Sequence, residues 1–154
     1  MRILANDLHN FLGKKVTVEG WVNSRRDHGG LIFIDLRDHT DIIQLVVTPN
    51  TKSAFKLAES VRDEYVLKAT GTMRKRTPEL INPNINTGKI ELVVEELTLL
   101  NKSEPLPVNT HDDGAESSEE LRLKYRFLDL RRPTMQNILK RRSEFYRFIR
   151  NYMY

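Results

Sequence analysis

The chain has no cysteine among its 154 residues, which excludes disulfides and thiolate zinc sites and fits a reducing compartment, with the cytoplasm as the default. It has no apolar run near the roughly 18 residues that a bilayer-crossing helix needs. Met1 to Gly13 carries acid and amide groups where a signal peptide would be apolar, so no membrane targeting is expected. Catalytic signatures are missing as well: there is no phosphate-binding glycine loop of the P-loop kind, no nucleophile elbow and no HExxH. The histidines, His9, His28, His39 and His111, lie scattered without ligand spacing. No residue is therefore expected to be catalytic, to bind a cofactor or to ligate a metal.

What is present suits a soluble globular protein: 39% of residues are hydrophobic and 30% charged. The length allows one compact domain of about 100 residues plus an appendage. Net charge is only +4, but the charges are segregated. Ser103 to Leu121 holds six acids, no Lys or Arg, and Pro105, Pro107 and Gly114, the composition of a linker. Arg122 to Arg150 then holds ten bases against Asp129 and Glu144. Such a segment favours a polyanion or an acidic partner surface, unless it is a helix face whose acidic partners lie elsewhere.

Before that division the pattern reads β-β-β-α-β-β. Asn6 to Leu12 is expected as a short helix capped by Asn6 and closed by Gly13. Val16, Val18, Gly20 and Val22 alternate with polar residues and Trp21 as a first strand, and His28-Gly29-Gly30 is the hairpin turn. Leu31 to Arg37 and Ile42 to Thr48 follow as strands, then a helix from Thr51 with Phe55, Leu57, Ala58 and Val61 on one side. Tyr65 to Met73 and Lys89 to Leu99 complete the set. A helix between the third and fourth of five strands fits the OB-fold barrel, which binds oligonucleotides across its second and third strands, although a sandwich or an SH3-like barrel would bury the same pattern.

Residues two apart on a strand share a side, which locates a candidate binding face. Phe33 shares its row with Leu31, Asp35 and Arg37, opposite Ile32, Ile34 and Leu36. Burial is the commoner fate of a strand Phe. An aromatic ring on a polar row near Arg25 and Arg26 is, however, the arrangement that stacks unpaired bases while cations hold the backbone. Gln44 interrupts an apolar strand, where an amide either reads a base edge or faces solvent, and Glu91 has the parity opposite Ile90 and Leu92. The segment Arg74 to Lys89 carries Arg74, Lys75 and Arg76 and is read as a loop whose bases suit phosphate contacts.

The strings G-W-V-N-S-R-R-D-H-G-G-L-I-F-I-D-L-R-D (Gly20 to Asp38) and L-K-Y-R-F-L-D-L-R-R-P-T-M-Q (Leu123 to Gln136) resemble the bacterial-type aspartyl-tRNA synthetases of class IIb. The resemblance implies an OB-fold anticodon-binding domain over 1–102, a linker and hinge over 103–133, and the start of a class II catalytic domain over 134–154. It implies that Phe33 stacks on the central anticodon uracil and Gln44 pairs with it, that Glu91 contacts a flanking base, and that Arg26 and Arg76 touch the anticodon loop. Arg131-Arg132-Pro133 points to the aspartate member of its branch. The implied partner is tRNA(Asp), within a homodimeric full-length enzyme that uses ATP and Mg2+ through residues beyond 154, so that the segment alone would be inactive. His28 stands where the family discriminates tRNA(Asp) from tRNA(Asn). A histidine there points either to a relaxed enzyme that also charges tRNA(Asn) or to a tolerated turn residue. A stand-alone OB-fold module for single-stranded nucleic acid, with a basic tail, is the alternative.

Overall fold

The computed structural model describes residues 2–110 and 117–154. His111 and the linker acids Asp112, Asp113 and Glu116 lie outside the described residues. The chain divides into two compact units, Met1–Pro105 and Leu106–Tyr154.

In the first unit five strands close into a barrel in the order β1-β2-β3-β5-β4. They are β1 (Lys15–His28), β2 (Leu31–Arg37), β3 (Ile42–Val47), β4 (Val66–Lys75) and β5 (Ile90–Asn101), with α1 (Lys52–Ser60) between β3 and β4. The β1–β2, β2–β3 and β4–β5 pairs are antiparallel hairpins, β3 lies parallel to β5, and the antiparallel β1–β4 ladder closes the ring. Closure rules out the open sandwich, and this strand order with its single intervening helix is that of an OB-fold.

The interior follows from alternation. Val16, Val18 and Val22 of β1 face Ile32, Ile34 and Leu36 of β2, Ile43, Leu45 and Val47 of β3, and the inward rows of β4 and β5, all buried. Ala54, Ala58 and Val61 pack into the same core from α1 and just beyond it, while Phe55 is only partly buried against them. Two local features steer the polar residues. Gly29 (φ 58°) and Gly30 (φ 76°) form the two-residue reversal between β1 and β2, a left-handed pair that side chains resist. His28 is therefore the last residue of β1, paired with Leu31, and flanks the turn. Upstream, the β1–β2 register slips between Val22 and Ser24, leaving Asn23 as the extra residue of a bulge.

The first helix differs from expectation. It is a 3-10 turn, Ala5–Phe11, and its free amides are held from across the fold: the Asp38 carboxylate accepts from the Ala5 amide at 2.8 Å and Thr40 Oγ1 from the Asn6 amide at 3.2 Å. A contact 33 residues away in sequence, not the Asn6 side chain, does the capping. Burial alone would raise the Asp38 carboxyl, but hydrogen bonds from the Thr40 hydroxyl and the Ala5, Thr40 and Asp41 amides outweigh it and hold it below its ordinary range. Gly13 closes the segment at φ 74°.

The second unit is helical: α2 (Glu119–Lys124), α3 (Arg126–Asp129) and α4 (Pro133–Met153). Ser118 Oγ accepts from the Leu121 amide and Glu119 and Glu120 sit in the first turn, so helix begins inside the stretch read as linker. Pro133 opens α4, since proline suits a first helical turn. Asp129 is fully buried and accepts from Arg122 Nε at 2.9 Å, Arg126 Nη1 at 2.5 Å and Arg132 Nη1 at 3.4 Å. Burial would raise its carboxyl, but the arginines, Arg122 foremost, bring it below the ordinary range. No helix among the described residues is long and apolar enough to cross a membrane.

Candidate nucleic-acid interface

On the outside of the barrel one row of side chains crosses every strand. Register pairs Ser24 of β1 with Asp35 of β2, Asp35 with Gln44 of β3, and Glu91 of β5 with Arg74 of β4. A Gln44–Glu91 hydrogen bond joins the two halves across the parallel β3–β5 seam. The bulge at Asn23 makes this possible: it inverts the alternation of β1, so that Ser24 and Arg26 point outward where Val16, Val18 and Val22 pointed in.

The row is continuous in hydrogen bonds. Ser24 Oγ donates to Asp35 Oδ2 at 2.8 Å, and Arg26 Nη2 donates to the same carboxylate at 3.0 and 3.3 Å. Arg26 Nη2 also reaches Gln44 Oε1 at 3.4 Å, and Gln44 Nε2 donates to Glu91 Oε2 at 3.3 Å. Arg74 Nε donates to Glu91 Oε1 at 2.6 Å, and Arg76 Nε lies 3.7 Å from Glu91 Oε2. Gln44 and Glu91 are 9% and 3% exposed, so their polar atoms survive burial only because each is partnered. Phe33 sits in the adjoining row, opposite Arg26 on β1 and Val46 on β3, half-buried and outside the core cluster.

The sequence-expected residues thus come together with two exceptions. His28 shares the outward parity of Arg26 but lies two residues farther along β1, about 7 Å at the usual strand rise. Arg76 turns inward: its side chain is 3% exposed, its Nε donates to the Ile90 carbonyl at 3.1 Å and its Nη1 to the Leu80 carbonyl at 3.5 Å. It braces β5 against the loop that precedes it, where an exposed phosphate contact was expected. Burial pushes the guanidinium down from its ordinary value against the pull of Glu91, and Nη2 is buried without a hydrogen-bond partner.

Two further expectations need correction. Arg25, grouped with Arg26 by sequence, faces the other way after the bulge and donates to the Ala58 carbonyl and to Asp27. Arg74 and Lys75 belong to β4, not to the loop, which is pinned instead by Asn86 on Asp41 and by Thr87 Oγ1 on the Ile42 carbonyl. Asp35, Ser24 and Arg74 were missed as members of the row. Asp35 was already legible on Phe33's side of β2, whereas Ser24 needed the bulge and Arg74 needed the β4–β5 register. The row holds two cations, Arg26 and Arg74, and two anions, Asp35 and Glu91, with the buried Arg76 guanidinium 3.7 Å from Glu91 and the half-buried Phe33 ring in the adjoining row.

Residues 16–100 match the family described as "OB-fold nucleic acid binding domain". The chain belongs to that family. In this OB-fold domain the matched span contains every member of the row and all five strands but for the terminal residues Lys15 and Asn101. Residues 118–154, which hold the helices of the second unit, match "tRNA synthetases class II (D, K and N)". An aspartate–tRNA ligase of Staphylococcus aureus (strain Newman) is 47% identical over 144 residues, 93% of this chain and 24% of that protein. The chain therefore spans about a quarter of the length of the curated relatives it matches. Among solved structures, an asparaginyl-tRNA synthetase from Pyrococcus horikoshii complexed with asparaginyl-adenylate aligns over 99% of this chain and 34% of its own, with TM-score 0.79 and 26% identity. An aspartyl-tRNA synthetase from Entamoeba histolytica aligns at TM-score 0.81 with 21% identity, over 99% and 37% of the two chains, a likeness of fold alone.

Proposed function

We propose that this segment reads the anticodon for an aspartate–tRNA ligase whose full-length form, in the cytoplasm, attaches L-aspartate to tRNA(Asp) in two ATP-dependent steps through aspartyl-adenylate. The observation that carries the reading is the outer face of the barrel: an accessible Phe33 ring beside the hydrogen-bonded row Arg26–Gln44–Glu91. Phe33 stacks on the central uracil, Gln44 pairs with its edge, and Arg26, Glu91 and Arg76 organise the groups around that base. The match to aspartate–tRNA ligases over most of the chain supports the choice of amino acid. His28, next on the outer side of β1, faces the neighbouring anticodon base, and a histidine there extends charging to tRNA(Asn).

In this reading ATP and Mg2+ act elsewhere in the full-length enzyme, since the row's two carboxylates are each engaged by arginine. No chemical step is assigned to this segment, and it should not aminoacylate alone. Dimerisation belongs to the full-length enzyme.

The test is titration at fixed salt with an RNA hairpin carrying the aspartate anticodon loop, the same hairpin with its central uracil replaced, and a DNA strand of the loop sequence. Preference for the RNA loop with uracil supports the anticodon reader. Equal binding to all three would replace it with a general single-strand module. Charging assays on tRNA(Asp) and tRNA(Asn) with the full-length enzyme decide the His28 reading, which a large preference for tRNA(Asp) would overturn.

A further inference from the structure

From Glu119 to Met153 the chain is helical but interrupted twice. Tyr125 leaves helical geometry at φ −109°, ψ 47° and ends α2 after six residues, and Arg132 is extended at φ −60°, ψ 137° immediately before Pro133 opens α4. Between the two breaks α3 is only four residues long. Helices this short have little stability of their own, and a break between them is a place where a chain can swivel.

One side chain bridges both breaks. Asp129 Oδ1 accepts from Nε of Arg122 in α2 at 2.9 Å and from Nη1 of Arg132, the residue before α4, at 3.4 Å, while Oδ2 accepts from Nη1 of Arg126 in α3 at 2.5 Å. One arginine would balance the charge of the carboxylate. The other two add position: a donor from each helical segment converges on a single acceptor. Asp129 is wholly shielded from solvent, and removing its charge would leave three guanidiniums around a neutral group, which a buried site strongly opposes. The same burial keeps the carboxylate from touching RNA or a substrate. Its influence passes through the helices it joins.

These helices belong to the span, 118–154, that matches the class II synthetases, and they follow the barrel in sequence. We propose that Asp129 is a positioning residue for tRNA charging: it welds α2, α3 and the start of α4 into one rigid piece. The full-length enzyme depends on that rigidity to keep the acceptor end of a tRNA, held at its anticodon, in line with the active site. The proposal rests on the reading of this chain as part of an aspartate–tRNA ligase. The physical reason is leverage. Angular slack at a hinge grows into displacement at the far end of a long RNA, and a misplacement of about 1 Å at the reacting atoms costs about 100-fold in rate. Formation of aspartyl-adenylate involves no tRNA, so the first step of the reaction is indifferent to the hinge.

The experiment uses the full-length enzyme as wild type, Asp129→Asn, Arg122→Gln and Arg126→Gln. It measures tRNA(Asp) charging, tRNA-free adenylate formation by pyrophosphate exchange, and affinity for the anticodon hairpin. Asp129→Asn should lower charging kcat/KM by about tenfold, the loss falling on kcat, since positioning acts after the tRNA is bound. Exchange and hairpin affinity should stay at wild-type values. Arg122→Gln should lose about fivefold, and Arg126→Gln, at a half-exposed side chain whose pair is screened by water, no more than about twofold. That grading separates a weld from general damage, which would not follow the burial of the arginines. Unchanged charging by Asp129→Asn overturns the proposal, as does an equal loss in charging and exchange, which would make Asp129 a support of the catalytic fold. A loss confined to hairpin affinity or to KM for tRNA also overturns it, by tying Asp129 to RNA binding. In each of these cases wild-type charging of tRNA(Asp) leaves the ligase reading standing. A wild-type enzyme that exchanges no pyrophosphate with aspartate and charges no tRNA(Asp) removes that reading itself.

Discussion

Ile34, Leu45 and Leu92 in the barrel are fully shielded from solvent, whereas Phe145, Phe148 and Tyr152 in α4 are 61%, 69% and 82% exposed. Both regions carry apolar residues at the period of their secondary structure. The difference lies in what those residues face. A closed sheet turns each strand's inward row toward the rows of the others, so burial is complete within one unit. A lone helix has no second surface of its own, and most helical stability comes from packing an apolar face. The barrel's order is therefore intrinsic, whereas α4 has no fully buried residue. Charge shows a related contrast: on the barrel's outer row Asp35 is partly exposed beside Arg26 and the nearly buried Glu91 is held by Arg74, whereas Asp129 among the helices is wholly buried against three arginines.

The comparison breaks first at Leu45. Leu45→Ala should cost the barrel about 2 to 5 kcal/mol in urea unfolding, and a smaller loss would mean the core is loosely packed. Asp129→Asn leaves Arg122, Arg126 and Arg132 around a group that no longer carries charge, and should cost about 3 kcal/mol locally. Amide exchange would show this as lost protection over 119–132 with the barrel unchanged; loss in both would contradict their separate stabilisation.

The acid response sharpens the same point. Asp129 and Asp38 both have folded carboxyls held below the ordinary value. Their stabilisation is thus complete above the unfolded carboxylate range, about pH 4, and is lost as pH falls through the lowered folded values. Protection of the Ala5 amide and of the α2–α3 amides should decline only below about pH 4, and a decline near neutrality would contradict the assigned direction.

Phe33→Ala tests the outer face. It should lower affinity for the cognate RNA hairpin by about 1 to 3 kcal/mol while shifting stability by no more than about 0.5 kcal/mol. A large stability loss would place the ring in the core after all. The smallest effect is expected at Phe148→Ala, about 0.5 kcal/mol or less, since its ring touches little.

Much of this was legible in the residues. Alternation found every strand, two glycines placed the first hairpin, and a helix between the third and fourth strands fitted the OB-fold barrel, while a sandwich or an SH3-like barrel would have buried the same pattern. Phe33 was legible because it shares its row with Asp35 and Arg37, and Gln44 and Glu91 because each is a polar residue within a largely apolar strand. The strands' ends were less legible, since β4 runs on through Arg74 and Lys75 by pairing with Ile90 and Glu91. The orientation of Arg25 and Arg26 could not be read at all. Alternation predicts a face only while register holds, and the slip at Asn23 leaves no compositional mark.

The sequence by itself determined the inward rows, the turn and the segregation of charge, because these depend on neighbours along the chain and on a period of two. Tertiary structure alone decided which polar groups meet: Asp38 on the first turn, Arg76 beneath the loop, Gln44 between Arg26 and Glu91. Those contacts join residues 18 and 47 positions apart around Gln44. Their partners are set by barrel closure, the β1 bulge and the parallel β3–β5 seam, which bring distant positions into hydrogen-bonding range that no local pattern encodes.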